Sequence, residues 1–289
     1  MSERIRAYGK INLGLQVVRK RPDGYHDLRM VMVPIDLFDS IHIAPYEKLL
    51  IQSDKWYLPN DDRNTVYKAI RLMQENYGIT QNYAVRIIKN IPTQAGLAGG
   101  STDAAAMINY LNTKHQLNLS QQELIDIGVQ VGADVPFCLF KKPALVEGIG
   151  ERLTFLKGDF DFYLFIMKPK MGVSTGGLFK SLKVKTQSND RFEKLVHSIE
   201  TNNYEGIQQN LMNDLLERAS EIQPEIQLLI DELLAFGFDN ASMTGSGSVV
   251  FGITQSEELC ERAIQAFYLK VPFVKKCKVV RDFSQNNVQ

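Results

Sequence analysis

The sequence predicts an α+β protein in two domains, and three observations carry that prediction. Near the start, apolar residues alternate with polar ones, the period of strands, and from about residue 65 the helical period takes over. In the second half, a short run that is apolar on both faces is followed by an αβαβ order. The length of 289 residues allows two cores of ordinary size. No linker composition marks the boundary, which is set near residue 155, giving 1–155 and 156–289.

In chain order, residues 4–18 read as strand, with Ile11, Leu13, Leu15 and Val17 alternating with Asn12, Gly14 and Gln16. Arg21-Pro22-Asp23-Gly24 is a turn, and strand character resumes over 28–43. Over 65–77, Val66, Ile70, Met73 and Tyr77 share a helical stripe that Gly78 ends. Residues 83–91 form another strand, followed by a glycine-rich loop and a helix carrying Ala104, Ala105, Ala106, Ile108 and Leu111. Ser120 and Glu123 have capping-box spacing ahead of Leu124, Ile127 and Val131. Residues 162–167 predict a central strand and 190–218 a polar helical region. Pro224 suits a first helical position before Ile226, Leu229, Ile230 and Leu233, with Gly237 closing that helix. A strand over 248–253, a helix over 256–269 and a strand over 273–283 complete the reading.

Composition narrows the function classes. A 44% hydrophobic and 23% charged chain is an ordinary soluble globular one. Lys+Arg and Asp+Glu both number 33, so there is no basic excess to displace counterions from a polyanion, and no nucleic-acid partner is expected. The three cysteines, Cys138, Cys260 and Cys277, form no close pair and suit reduced, buried thiols. Met1-Ser2-Glu3-Arg4-Ile5-Arg6 contains no signal-peptide core, and the most apolar run, 162–167, is far shorter than the ~20 residues that span a bilayer. No membrane association is expected, and the expected compartment is the cytoplasm.

The strongest chemical signal is Pro92-Thr93-Gln94-Ala95-Gly96-Leu97-Ala98-Gly99-Gly100-Ser101-Thr102-Asp103. Its glycines let backbone approach a ligand, and a loop that opens a helix offers free N–H groups to an anion. Ser101 and Thr102 add hydroxyl donors or an N-cap. The spacing is neither a Walker A loop nor a dinucleotide fingerprint, and a glycine-rich turn capped by Ser101 is the bland alternative. In Gly132-Ala133-Asp134-Val135-Pro136, Asp134 either caps a turn or accepts a hydroxyl proton in phosphoryl transfer. Lys10 is either a solvated strand lysine or a cation that keeps such a carboxylate ionised and attracts phosphates. Tyr25 and His26 read equally as packing at a hairpin tip or as a pair recognising a base. Thr244-Gly245-Ser246-Gly247-Ser248 is a tight turn before a strand or a second amide nest.

Taken in order, these motifs resemble the GHMP kinase superfamily over nearly the whole chain. The resemblance comprises Lys10-Ile11-Asn12-Leu13, Arg21-Pro22-Asp23-Gly24-Tyr25-His26, the loop 92–103, Gly132-Ala133-Asp134-Val135-Pro136, Gly148-Ile149-Gly150-Glu151 and Gly245-Ser246-Gly247. Asp-Gly-Tyr-His narrows it to the branch acting on a cytidine diphosphate-linked methylerythritol, a small molecule phosphorylated on its 2-hydroxyl. The resemblance implies a ribosomal-S5-like ATP-binding half and a ferredoxin-like half, in a monomer or homodimer. It implies ATP, with Mg²⁺ bridging its phosphates, although no protein carboxylate is placed as an obvious metal ligand. The loop 92–102 would wrap the phosphates, with Asn64 and Lys89 near the nucleoside. Asp134 would be the base and Lys10 its partner, while Asn12, Tyr25, His26, Phe179, Gly245 and Ser246 would hold the substrate.

The family's Ala-Pro-Ala before the lysine is Ala7-Tyr8-Gly9 here, and Ala95 and Ala98 stand where some members have Gly. Both alanines are expected to avoid positive φ. Other superfamily substrates (homoserine, mevalonate or a sugar) and a non-catalytic nucleotide- or RNA-binding role are the alternatives.

Overall fold

A computed structural model describes residues 2–182 and 190–280. Its first half is organised by one long antiparallel hairpin, β1 (Glu3–Lys20) and β2 (His26–Tyr46). The turn between them is the one the sequence predicts: Gly24 has φ 88°, and the Asp23 carboxylate accepts the Tyr25 N–H at 3.0 Å. β3 (Leu50–Ser53), α1 (Thr65–Tyr77) and β4 (Asn82–Ile88) follow. α1 begins where the Asn64 side chain accepts the Val66 N–H and ends on Gly78 at φ 64°. Next come α2 (Gly99–Lys114), α3 (Gln121–Val131), α4 (Val135–Phe140) and the hairpin β5 (Ala144–Gly148) and β6 (Arg152–Phe155). The predicted capping box of Ser120 and Glu123 is present on α3, a device worth about 1 kcal/mol.

β2 carries a different neighbour along each half of its free edge. Residues 28–32 pair with β5 and residues 40–46 with β4, while β1 runs along the other edge. Between Tyr8↔Phe38 and Lys10↔Pro34 the register breaks, so that β2 spends residues 35–37 where β1 spends Gly9.

In the second half β7 (Tyr163–Lys168) leads to α5 (Thr175–Ser181), α6 (Arg191–Glu200), α7 (Tyr204–Gln209), β8 (Met212–Asn213) and α8 (Leu216–Ile222). α9 (Glu225–Phe236), β9 (Asn240–Met243), β10 (Val250–Thr254), α10 (Glu257–Phe267) and β11 (Phe273–Lys278) follow. The second sheet is antiparallel in the order β11-β7-β10-β9, and β7 is central, as its two apolar faces predict.

The chain changes sheets between Phe155 and Tyr163, yet the halves interlock. β8 returns to pair with Gly14 and Leu15 of β1, and Val279 bridges to Ile35 in the bulged part of β2. One apolar cluster joins Ile11 and Val33 of the first sheet to Phe251 and Ile253 of the second.

Five local expectations need correction. The polar region 190–218 is not one helix, because Asn202 turns to φ 55° and Asn203 caps a new helix by accepting the Gly206 N–H. Pro224 is the cap residue of α9 rather than its first helical residue. α2 starts at Gly99, so Ser101 and Thr102 lie inside its first turn and neither is the N-cap. That cap is Ala98 at φ 58°, so Ala98 does adopt the left-handed conformation, as does Gln94 at 51°, whereas Ala95 does not. The predicted strand over 273–283 ends at Lys278, and residues 281–283 lie outside the described residues.

Candidate active site

A cavity of about 450 Å³ lies where the start of α2, strand β1, the start of α4 and the turn before β10 meet. The loop 92–101 lines it in full, together with Lys10, Asn12, Lys89, Asp134, Phe179, Gly245 and Ser246. Two glycine-rich turns from opposite halves form one wall. Gly96 has φ 73° and a Cβ there would sit 2.1 Å from the Thr244 carbonyl oxygen, so only glycine lets the two backbones close. The Val249 N–H donates to the Ala95 carbonyl at 3.3 Å across the same seam.

The strand period puts Lys10 and Asn12 on one face of β1, and the Lys10 Nζ donates to Asn12 Oδ1 at 2.7 Å. Lys10 is almost fully buried. Its ammonium lies 3.7 Å from an Asp134 carboxylate oxygen, and the Asp134 side chain keeps 35% of its surface exposed. Asp134 stands at the start of α4, beside Ala133, whose carbonyl meets the β5–β6 turn. A Cβ on Gly150 would fall 2.2 Å from that carbonyl oxygen, so the glycine permits the contact that backs the aspartate.

The beginning of α2 is an open donor site. The N–H groups of Gly99, Gly100 and Ser101 have no carbonyl one turn back, and Ala98 makes no side-chain cap. No acidic residue occupies the first turn, so the helix dipole there is uncompensated and favours an anion. Asn12 Nδ2 is a further unspent donor: it is buried with no protein partner among the described residues, an omission costing about 1–3 kcal/mol unless a ligand fills it. Burial pushes the neighbouring Cys138 thiol far up, which makes it inert as a nucleophile.

Other predicted residues are placed differently. Thr102 is buried beneath the loop and donates its hydroxyl to the Tyr8 carbonyl at 2.5 Å. Asn64 lies outside the cavity lining, its amide spent on the Val66 N–H and the Pro59 carbonyl. Lys89 reaches the lining, but its ammonium is held by Asp39 and, at 2.6 Å, by Asp103. Tyr25 is 63% exposed on the hairpin tip and does not line the cavity. His26 is buried, with its ring centroid 5.2 Å from that of Phe179, and burial followed by the charge of Lys20 pushes its imidazole down, toward the neutral form. Thr65, Thr175 and Leu215 also line the space, as do Ala133 and Ile149 of the quoted motifs, and sequence reasoning gave none of the five a role. Thr175 shares a 2.7 Å hydroxyl contact with Ser246.

Among the described residues no three His, Cys, Asp or Glu side chains converge on a common point.

Comparison with known proteins gives the family. Residues 64–142 match the family model described as GHMP kinases N terminal domain, and residues 195–271 the one described as GHMP kinases C terminal. A 4-diphosphocytidyl-2-C-methyl-D-erythritol kinase of Lachnoclostridium phytofermentans is 38% identical over 287 residues, 98% of each chain. One of Clostridium kluyveri is 41% identical over 249 residues, covering 86% of this chain and 89% of that one. A crystal structure of 4-(cytidine 5'-diphospho)-2C-methyl-D-erythritol kinase superposes with a TM-score of 0.81 at 27% identity, over 96% of this chain and all of the other. A homoserine kinase from Cytophaga hutchinsonii, at TM-score 0.75 and 18% identity over 99% of this chain and 96% of that one, shares the fold.

Proposed function

The chain belongs to the GHMP kinases, and from that membership we propose that it phosphorylates the 2-hydroxyl of 4-diphosphocytidyl-2-C-methyl-D-erythritol with ATP, a step in isoprenoid precursor synthesis. The observation that carries the proposal is the meeting of Asp134 and Lys10 in a cavity walled by the open amides of α2.

In this reading the Gly99, Gly100 and Ser101 amides hold the nucleotide's phosphates, and Lys10 adds a fixed positive charge beside them. Asp134 accepts the proton of the substrate hydroxyl as that oxygen attacks the γ-phosphorus and ADP departs, with the Lys10 ammonium 3.7 Å from the carboxylate. Mg²⁺, bound chiefly through nucleotide phosphates with the Ser101 hydroxyl at hand, would neutralise phosphate charge. Phe179 and the neutral His26 offer a flat face and an edge to a cytosine, and the exposed Tyr25 would close over it from the hairpin tip. Asn12, Gly245 and Ser246 face the rest of the substrate.

No helix among the described residues is long and apolar enough to cross a membrane. Three buried free cysteines support a reducing, cytoplasmic setting, and a monomer or homodimer completes the proposal.

The test is ADP release with the cytidyl substrate against homoserine, mevalonate and a sugar panel. A preference of about 100-fold or more in kcat/KM for the cytidyl compound is expected from a site that bonds a base. Equal turnover of a substrate lacking cytosine would sink the assignment.

A further inference from the structure

Thr244 is fully buried and lies outside the cavity lining, 232 residues from Asn12 in the chain. Its hydroxyl oxygen nevertheless accepts the Asn12 backbone N–H at 3.0 Å. The same oxygen lies 3.4 Å from Asn12 Oδ1 and 3.3 Å from the Gly96 carbonyl, either of which can take its proton. The residue is itself held from several sides. Its N–H donates to the Val249 carbonyl at 3.0 Å, and Asn213 Nδ2 donates to the carbonyls on either side of it, Met243 at 2.8 Å and Gly245 at 2.9 Å. A rigid corner of the second half therefore grips Asn12 in β1.

Asn12 passes that grip on. Its Oδ1 accepts the Lys10 ammonium at 2.7 Å, whereas the ammonium stands off from Asp134 at 3.7 Å. A lysine head on four rotatable bonds stays where its hydrogen bonds keep it, and Asn12 supplies the short one. Resting on the kinase reading of the cavity, we propose that Thr244 is a positioning residue for phosphoryl transfer, acting through Asn12 to hold the Lys10 ammonium beside Asp134. Valine in its place keeps the volume but leaves the Asn12 N–H buried without an acceptor. Asn12 then shifts to find one, and Lys10 loses its anchor.

A residue that merely ties the two halves together would affect folding and every kinetic constant alike; a positioning residue lowers kcat and spares nucleotide binding. Thr244→Val should lower kcat by about 10- to 100-fold with KM for ATP within about twofold, because small displacements at a reacting centre are costly. Thr244→Ser, which keeps the oxygen, should restore most of the loss. In an Asn12→Ala background, Thr244→Val should add almost nothing, since both changes break one chain of contacts. Wild-type kcat in Thr244→Val, a serine variant as poor as the valine one, or losses that multiply in the double variant would each overturn the proposal. Thr244→Ala replaces the valine variant if the latter does not fold. If the wild-type protein phosphorylates nothing in the panel, the kinase reading fails alone. The Lys10–Asn12 distance in crystals of the valine and serine variants then decides the matter, with an intact contact in both counting against the proposal.

Discussion

Lys10 and Lys89 both meet carboxylates out of bulk water, and they do so in opposite ways. Lys89 is closed in: Asp39 and Asp103 both bind its ammonium, and none of the three side chains is more than 4% exposed. The second oxygen of Asp39 takes the N–H groups of Asn90 and Ile91 at 2.6 and 2.8 Å, which ties the end of β4 to β2 just ahead of the glycine-rich loop. Burial opposes the charge on Lys89, but Asp103 and Asp39 more than offset this and hold its ammonium above the ordinary range. Around Lys10 the contacts are looser. Its carboxylate partner is 3.7 Å away and one-third exposed, and the amide that binds it keeps an unused donor. The tighter cluster spends its ammonium on two carboxyl groups and leaves a buried acceptor, Asp103 Oδ1, without a partner among the described residues. A spare donor beside a part-exposed carboxylate, rather than the strength of an ion pair, sets the surroundings of Lys10 apart from those of Lys89.

The comparison would break most visibly at Asp134. Asp134→Ala should lower kcat by about 10²- to 10⁴-fold in the ADP-release assay while leaving the urea midpoint nearly unmoved. Retained turnover would strip the open pair of its role. The converse change, Lys89→Met, leaves Asp39 and Asp103 in the core without their cation and should cost about 3–5 kcal/mol in urea unfolding. A loss below about 1 kcal/mol would mean that the closed cluster is not structural.

A third experiment sharpens the contrast through pH. Burial, with Asp39 assisting and Lys89 opposing, pushes the Asp103 carboxyl up from its ordinary 3.8 to about 8. A carboxyl raised on folding binds its proton more tightly in the folded state. Its contribution is therefore complete below the ordinary value and drains away as pH climbs toward the folded one. Asp103→Asn, which cannot ionise, should flatten the decline in urea midpoint between pH 5 and about 8. An unchanged slope would show that Asp103 does not titrate there. The smallest expected effect lies in the open region: Ala98→Gly, at φ 58°, should raise stability by about 0.5–1 kcal/mol. A loss of stability would mean that the loop relaxes around the alanine.

Much of this contrast was legible in residues taken one at a time. The alternation of β1 puts Lys10 and Asn12 on one face, and the glycines of 96–100 announce a loop that opens a helix. What no local pattern contains is the meeting of Lys10 with Asp134, or of Thr244 with Asn12, because both pairs join distant segments through the packing of the two halves. The closed cluster was more accessible than its absence from the sequence reading suggests. Asp39 shares parity with buried Leu37, Ile41 and Ile43, and Lys89 with buried Tyr83, Val85 and Ile87, so each charge sits on an apolar face. Extending the Ser40↔Ile88 pairing by one step sets the two opposite one another. Asn64 has a structural duty that the sequence reading did not assign: its amide caps the N-terminus of α1.

The break in the β1–β2 register has a mechanical consequence. The three residues that β2 spends opposite Gly9 form a ledge, and the last strand rests on it: Val280 donates its N–H to the Pro34 carbonyl and Lys278 its own to Asp36, both at 2.9 Å. The residue after Gly9 is Lys10. A single irregularity thus both delivers the Lys10 ammonium to the cavity and moors β11 and the two residues after it, so tension on that strand reaches Lys10 through one short lever.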